Sequence, residues 1–243
     1  MNSGFAPHSP HAAAVLADLL DAIAGLPVKE ALIVESLAYG LLQGSSEHAT
    51  WLAARKPSPR PPPGRVLVER NNHVLSIRLD RPAAHNAIDR LMRDDLREAF
   101  ELAALDPEIE RVTLASSGKA FSAGADLGEF GTTRDPAAAH AIRLATLPAF
   151  AIADCAGKLE VHVQGACVGA GLEMTAFAHR ITATPEAWFQ LPELAMGLIP
   201  GAGGCVSVSR RIGIARTSEL VLSGKRISAQ TALDWGLIDA IAG

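Results

Sequence analysis

Two glutamates, Glu173 and Glu193, lie near two glycine-rich turns within residues 165–204. The first turn, residues 165–171, opens a stretch without further Gly or Pro, which indicates a helix start. Glycine lets the backbone approach a ligand closely, and a helix start offers unpaired N–H groups. Such N–H groups stabilise an oxygen that becomes negative during a reaction. Two carboxylates beside them could divide the work of base and acid.

Each glutamate taken singly has a simpler explanation. Glu173 could be a carboxylate that favours a helix N-terminus, and Glu193 could be a solvated charge in a surface loop. Only their occurrence together, each inside a longer motif, favours the catalytic interpretation.

These motifs occur in a fixed order along the chain. They begin with Arg81-Pro and Asn86-Ala-Ile, and continue with AFSAGADL (120–127), GAGLE (169–173), FQLPEL (189–194), GLIPGAGG (197–204), SGKRISA (223–229) and DWGLID (234–239). The ordered set resembles the enoyl-CoA hydratase/isomerase (crotonase) family over residues 65–243. The resemblance implies an α/β (α+β) fold whose core is a crotonase-like spiral of ββα turns.

The chain divides at a proline-rich stretch. Residues 56–64 form an extended linker, which separates a helical segment, residues 1–55, from the crotonase-like acyl-CoA-binding core, residues 65–243. The helical segment resembles the C-terminal helices of the family. We therefore predict a circular permutation that moves this region to the N-terminus, with an unrelated helical extension as the alternative.

The resemblance also implies roles for single residues. Glu173 would act as the main base and Glu193 as the proton donor, and both would hold the reacting water. The backbone N–H groups of Ala125 and Ala170 would form the oxyanion hole, although the family usually has glycine at the second position. The positions that would bind substrate and CoA are Ala87, Ala123, Asp126, Leu127 and Gly169. Since His85 and Gly128 replace common family lysines, Lys119 or Arg81 are the alternative phosphate contacts.

These roles predict a 2-enoyl-CoA hydratase. The alternatives are an enoyl-CoA isomerase, a hydrolase of a special acyl-CoA, or a non-catalytic family member that acts as a scaffold subunit. The resemblance further implies a homotrimer or homohexamer. CoA is part of the substrate, so no separate cofactor is expected.

Composition narrows the class of protein. A net charge of −4 gives no reason to expect nucleic-acid binding. Three cysteines, Cys155, Cys167 and Cys205, lack metal-ligand spacing and suggest reduced, buried thiols, so we predict no metal site. We find no targeting segment and no apolar run of membrane length, and predict a cytoplasmic protein that does not bind membranes.

Hydrophobic spacing predicts the local elements. Helices are expected at residues 11–24, 28–42, 47–54, 89–105, 136–147, 206–211, 215–223 and 228–235. A hairpin is expected around Asn71-Asn72, and further strands at residues 111–115, 161–164, 180–183 and 187–189.

Overall fold

The computed structural model describes residues 9–56 and 61–242. The helices are α1 (Pro10–Ala22), α2 (Val28–Gln43), α3 (Ser46–Ala54), α4 (Arg90–Leu105), α5 (Pro136–Thr146), α6 (Ala149–Cys155), α7 (Ala170–Thr175), α8 (Gly204–Ser223) and α9 (Ala229–Trp235). The strands are β1 (Arg65–Asn71), β2 (Val74–Asp80), β3 (Arg111–Ser116), β4 (Leu159–Val163), β5 (Ala166–Val168), β6 (Arg180–Ala183), β7 (Trp188–Gln190), β8 (Ile227–Ser228) and β9 (Ala240–Ile241).

The strands form two sheets. The larger has the order β1-β2-β3-β4-β6-β9 and is parallel except for the β1–β2 hairpin, and the smaller has the order β5-β7-β8. Strands β4 and β5 are consecutive in the chain but lie in different sheets, and so do β6 and β7. The units β4-β5-α7 and β6-β7-α8 therefore each add one strand to each sheet. The predicted α/β class and its recurring ββα unit are confirmed.

Local sequence signals explain the element ends that were predicted. Asn72 turns the β1–β2 hairpin with a left-handed φ of 52°. The carboxylate of Asp89 accepts the N–H of Met92 at 3.0 Å and so caps α4. This helix buries its apolar face, including Leu96 and Phe100, against the core.

The break between the predicted helices 206–211 and 215–223 is confirmed, whereas helix α6 and the short strands β5, β8 and β9 were not predicted. Helix α8 is continuous in outline, but Gly213 has φ 82° and ψ 160°, so a non-helical residue separates the two predicted helices. Helix α6 was not predicted, because seven residues after Pro148 are too few to show helical periodicity.

The N-terminal helices pack on the core rather than extending from it. Helix α1 contacts α8, helix α2 contacts α5, α6 and α8, and helix α3 contacts the short turn Glu193–Met196. Their buried leucines belong to the same hydrophobic core as the sheets: Leu16, Leu20, Leu32 and Leu42. Each fully buried leucine stabilises the fold by roughly 1.5–3 kcal/mol. The predicted linker lies partly outside the described residues, which omit 57–60.

The stretch Pro136–Lys158 is long and apolar enough to cross a membrane, judged by its length and composition alone, contrary to the expectation from the sequence. In the structure it is α5, α6 and the turn that follows, interrupted after Thr146. Helix α6 packs against α2 and α4. A helix pair in a protein core passes the same test, so this stretch is weak support for a membrane span.

The permutation hypothesis predicts that the order of the two segments matters little. A chain that starts at residue 61 and carries residues 9–56 after residue 242, through a Gly/Ser linker of about 20 residues, should fold to the same structure. Helices α1–α3 are held on the core by non-covalent packing. This packing requires that they lie near the core, not that they precede it in the chain. Circular dichroism and thermal unfolding of the rearranged chain measure this directly.

The matched control is a chain of residues 61–243 alone. It should aggregate or unfold without a cooperative transition, because the surface beneath α1–α3 is then exposed to water. A soluble control with a normal transition would contradict the hypothesis and favour a dispensable extension.

A row of exposed apolar side chains follows one face of α2. Ile33, Leu37 and Leu41 are 40%, 54% and 68% exposed and lie four residues apart. We expect this face to be buried in the homotrimer or homohexamer, because a contiguous apolar face in water favours association. Light scattering at micromolar concentration should give the mass of a trimer or hexamer, and Leu37→Asp with Leu41→Asp should lower it.

Leu105→Asp provides the control, because Leu105 is 82% exposed on a different helix. This variant should keep the wild-type mass. A monomeric wild-type protein would rule out the predicted assembly.

Candidate active site

Glu173 lies on α7, which begins directly after a glycine with a positive φ. Gly169 has φ 48°, and a Cβ at this position would lie 2.7 Å from Oε1 of Glu193. The N–H of Glu173 donates to the carbonyl of Gly169 at 2.8 Å. Gly169 is therefore required where the two glutamate-bearing segments meet, because a side chain there would be strained and would collide with Glu193.

The carboxylate of Glu173 is held by the backbone of the second glycine turn. Its Oε2 accepts the N–H of Ala202 at 2.6 Å and the N–H of Gly204 at 2.9 Å. A Cβ on Gly204 would lie 2.5 Å from Cγ of Glu173, so this approach also requires glycine. Burial raises the pKa of Glu173 to about 7, while the two N–H donors act in the opposite direction by stabilising the charged form.

Glu193 lies in a different environment. It begins the short turn Glu193–Met196 after Pro192 and is only 7% exposed. Its Oε2 is buried and has no hydrogen-bond partner among the described residues. Burial, and then the nearby carboxylate of Glu173, raise the pKa of Glu193 well above its usual range. The two N–H donors favour the ionised form of Glu173, whereas burial and the charge of Glu173 favour the protonated form of Glu193.

The two N–H groups expected to form the oxyanion hole follow two glycines that touch each other. A Cβ on Gly124, whose φ is 93°, would lie 3.1 Å from the carbonyl oxygen of Val168 and 3.6 Å from Cα of Gly169. Ala125 and Ala170 are the next residues in the two segments. No hydrogen bond joins their N–H groups to another described residue. The structure thus brings both predicted donors to the segments that carry the glutamates.

Four of the five positions expected to contact substrate and CoA lie on two loops joined by backbone hydrogen bonds, and the fifth, Gly169, directly precedes α7. Ala123 donates to the carbonyl of His85 at 2.9 Å, and Ile88 bridges to Ala125. Of these expected positions, Ala123 and Leu127 are exposed, whereas Ala87 and Asp126 are partly buried. The loops therefore place exposed backbone and apolar surface beside the predicted oxyanion hole.

Arg81 does not fit the role of a phosphate contact. Its side chain is 5% exposed, and its Nη1 lies 2.7 Å from Oδ2 of Asp126 and 2.9 Å from the carbonyl of Ala87. Nη2 lies 3.5 Å from Asp89. This guanidinium joins the two loops to α4 and has little capacity left for a ligand. The alternative cation, Lys119, is exposed.

Sequence reasoning missed two residues of α2 that reach this site. Glu35 is 1% exposed and accepts the N–H of Gly203 at 2.7 Å, next to the N–H groups that hold Glu173. The ring of Tyr39 lies against Gly201, where a Cβ would be 2.1 Å from Cδ2. Glu35 lies three residues after the buried Leu32, and Tyr39 lies four residues after Glu35. This helical spacing could have placed both polar side chains on the buried face of α2.

Comparison with known proteins agrees with this geometry. A profile described as enoyl-CoA hydratase/isomerase matches residues 69–243. The 2,3-dehydroadipyl-CoA hydratase of Escherichia coli (strain K12) is 35% identical over 179 residues, which cover 72% of this chain and 68% of that protein. The mitochondrial enoyl-CoA hydratase of Pongo abelii is 34% identical over 187 residues, which cover 71% of this chain and 59% of that protein.

A solved structure gives the same relationship in three dimensions. The crystal structure of enoyl-CoA hydratase from Thermoplasma volcanium GSS1 superposes with a TM-score of 0.64 at 32% identity, over 73% of this chain and 71% of that one. The profile, the relatives and the structural match, together with the ββα core that carries both glutamates, show that this chain belongs to the enoyl-CoA hydratase/isomerase family.

Proposed function

We propose that the protein is a 2-enoyl-CoA hydratase, which adds water across the 2,3 double bond of an acyl-CoA thioester. The observation that carries the proposal is the unequal environment of two adjacent buried carboxyl groups. Glu173 receives two N–H donors, whereas Oε2 of Glu193 has no partner among the described residues. One group is thus suited to accept a proton and the other to donate one.

The reaction follows from this division of roles. Ionised Glu173 takes a proton from water as the water oxygen bonds to C3 of the substrate. The electrons of the double bond move towards the thioester carbonyl, and the N–H groups of Ala125 and Ala170 stabilise the enolate oxygen. Protonated Glu193 then supplies the proton that bonds to C2, and the proton that Glu173 took from water passes to Glu193, which restores both groups and completes the addition of one water molecule.

Substrate binding would use the loops beside this oxygen site. The backbone of Gly169 and the surfaces of Ala87, Ala123 and Leu127 would contact the acyl-CoA, while Asp126 would act by holding Arg81 and the loop around it. The hydratases of Escherichia coli and Pongo abelii named above act on CoA thioesters, which supports a CoA substrate here. A trimer or hexamer, and a cytoplasmic location, form part of the same proposal.

Hydration is favoured over the alternatives by the second carboxyl group. Double-bond isomerisation moves a single proton and can use one carboxylate, which leaves the buried, unpartnered oxygen of Glu193 without a role. A scaffold subunit needs neither glutamate. Burying both carboxyl groups costs free energy that a silent protein would gain by replacing them with apolar residues.

Replacing either glutamate should remove catalysis and preserve the fold. Glu173→Gln and Glu193→Gln should each lower kcat for crotonyl-CoA hydration by about 10²–10⁴-fold, because each removes one proton-transfer group. The double variant should lose little more, since groups that act as a unit are non-additive. The loss of ultraviolet absorbance of the conjugated thioester measures the rate.

Glu186→Gln is the matched control, because Glu186 is an exposed glutamate that precedes β7. It should retain full activity. If either active-site variant hydrates crotonyl-CoA at close to the wild-type rate, the assignment of Glu173 and Glu193 is wrong.

The raised pKa values predict a bell-shaped pH profile of kcat/KM. The rate should rise with pH through about 7, where Glu173 ionises. It should fall again at higher pH as Glu193, whose pKa is also raised, loses its proton. The stopped-flow rate between pH 5.5 and 9 tests this, and a flat profile on the acid side would contradict the role of Glu173 as base.

A further inference from the structure

Residues 201–206 form a loop that runs into the first turn of α8, and its N–H groups bind two buried carboxyl groups in alternation. The N–H groups of Ala202 and Gly204 donate to Oε2 of Glu173, at 2.6 and 2.9 Å. The N–H groups of Gly203 and Val206 donate to Glu35, at 2.7 and 3.3 Å. Neighbouring N–H groups of this loop therefore donate in opposite directions, to Glu173 on one side and to Glu35 on the other. The position of the loop depends on both of these carboxyl groups.

Glu35 reaches this loop from the N-terminal segment. Helix α2 is fixed on the core by Arg143 of α5, whose guanidinium donates to the hydroxyl and carbonyl of Ser36, at 2.9 Å each, and to Gln43. The same guanidinium lies 4.8 Å from the centre of the Tyr39 ring. Tyr39 in turn packs on Gly201, at the start of the loop. Helix α2 thus contacts the loop twice, through Tyr39 and through Glu35.

We propose that Glu35 is a positioning residue of the active site, which holds the N–H groups of Gly203 and Val206 and thereby aims those of Ala202 and Gly204 at Glu173. For its kinetic test, this inference rests on the proposed hydratase function. Glu35 acts on the site only through the N–H groups of this loop, and it takes no part in proton transfer.

The charged and titratable groups around Glu35 determine whether its carboxyl group is protonated or ionised. Glu173 of α7, Glu193 of the turn before α8, and Cys205 of α8 face it from the core, together with Arg143 of α5 and Tyr39 of its own helix. Burial, and then the charge of Glu173, raise the pKa of Glu35 well above its usual range. An ionised Glu173 therefore favours the neutral form of Glu35, and glutamine is the close analogue of that form.

The kinetic test compares three substitutions at Glu35. Glu35→Met keeps the length of the side chain and removes both acceptors, so we expect kcat to fall by about 100-fold, the effect of misplacing a catalytic group. The acid limb of the pH profile should move up by about one pH unit, because Glu173 loses the N–H donors that stabilise its charge. Glu35→Gln keeps the acceptor for Gly203 and should stay within about fivefold of wild type, with its acid limb unmoved.

Glu30→Met is the matched control on the same helix, because Glu30 is exposed. It should behave as wild type. If Glu35→Met does not fold, Glu35→Asp takes its place: the carboxyl group is kept but withdrawn by one methylene, and the same upward displacement of the acid limb is expected.

A second measurement needs no substrate. In protein labelled with 13C at the glutamate carboxyl carbons, the resonance lost in Glu173→Gln identifies Glu173, and its titration gives the pKa directly. The wild-type midpoint should lie at about 7 and should rise in Glu35→Met or Glu35→Asp. Failure of the wild type to hydrate any enoyl-CoA would overturn the proposed function alone, since this titration still reports on Glu35.

The direction of the shift decides the inference. An upward shift of the Glu173 midpoint, with near-normal behaviour of Glu35→Gln, supports positioning through the loop. A downward shift would mean that Glu35 acts by its own negative charge, and an unchanged midpoint would mean that it only packs. Either result would overturn the proposal.

Discussion

The site depends on the backbone N–H groups of residues 202–206, which bind buried carboxyl groups on both sides. Buried carboxyl groups are costly unless they are hydrogen-bonded, and this loop supplies donors to Glu173 and Glu35 without any basic side chain. Glycines are needed for the close approach, since a Cβ on Gly204 would collide with Glu173 and one on Gly201 with Tyr39. The backbone conformation of this loop therefore determines how the carboxyl groups of Glu173 and Glu35 are hydrogen-bonded.

Two chemically identical side chains acquire different properties from this arrangement. Glu173 and Glu193 are both buried, and burial alone would raise both pKa values. The N–H groups of Ala202 and Gly204 donate to Glu173, and the charge of Glu173 then disfavours ionisation of Glu193. The difference in ionisation between the two glutamates thus arises from their hydrogen bonding and surroundings rather than from residue type.

The geometry of the site also depends on the N-terminal helices, which are distant from it in the sequence. Helix α2 lies against α5, α6 and α8 and brings Glu35 and Tyr39 to the loop. Helix α3 contacts the turn that carries Glu193, where Nδ1 of His48 lies 2.9 Å from the carbonyl of Met196. Stability and site geometry are therefore linked, because the same helices contribute core leucines and contacts to catalytic segments.

The sequence by itself determined the family, the ββα core and most element bounds, because periodicity, caps and turn residues are local signals. Asp89 capping α4 and the break at Gly213 are examples. Its ordered motifs also predicted Glu173, Glu193, Ala125 and Ala170 as site residues. Only the tertiary structure decided that Glu35 and Tyr39 lie at the site and that Arg81 holds Asp126 instead of facing solvent. These contacts join residues far apart in the chain, and no local pattern encodes which partner a buried polar group will find.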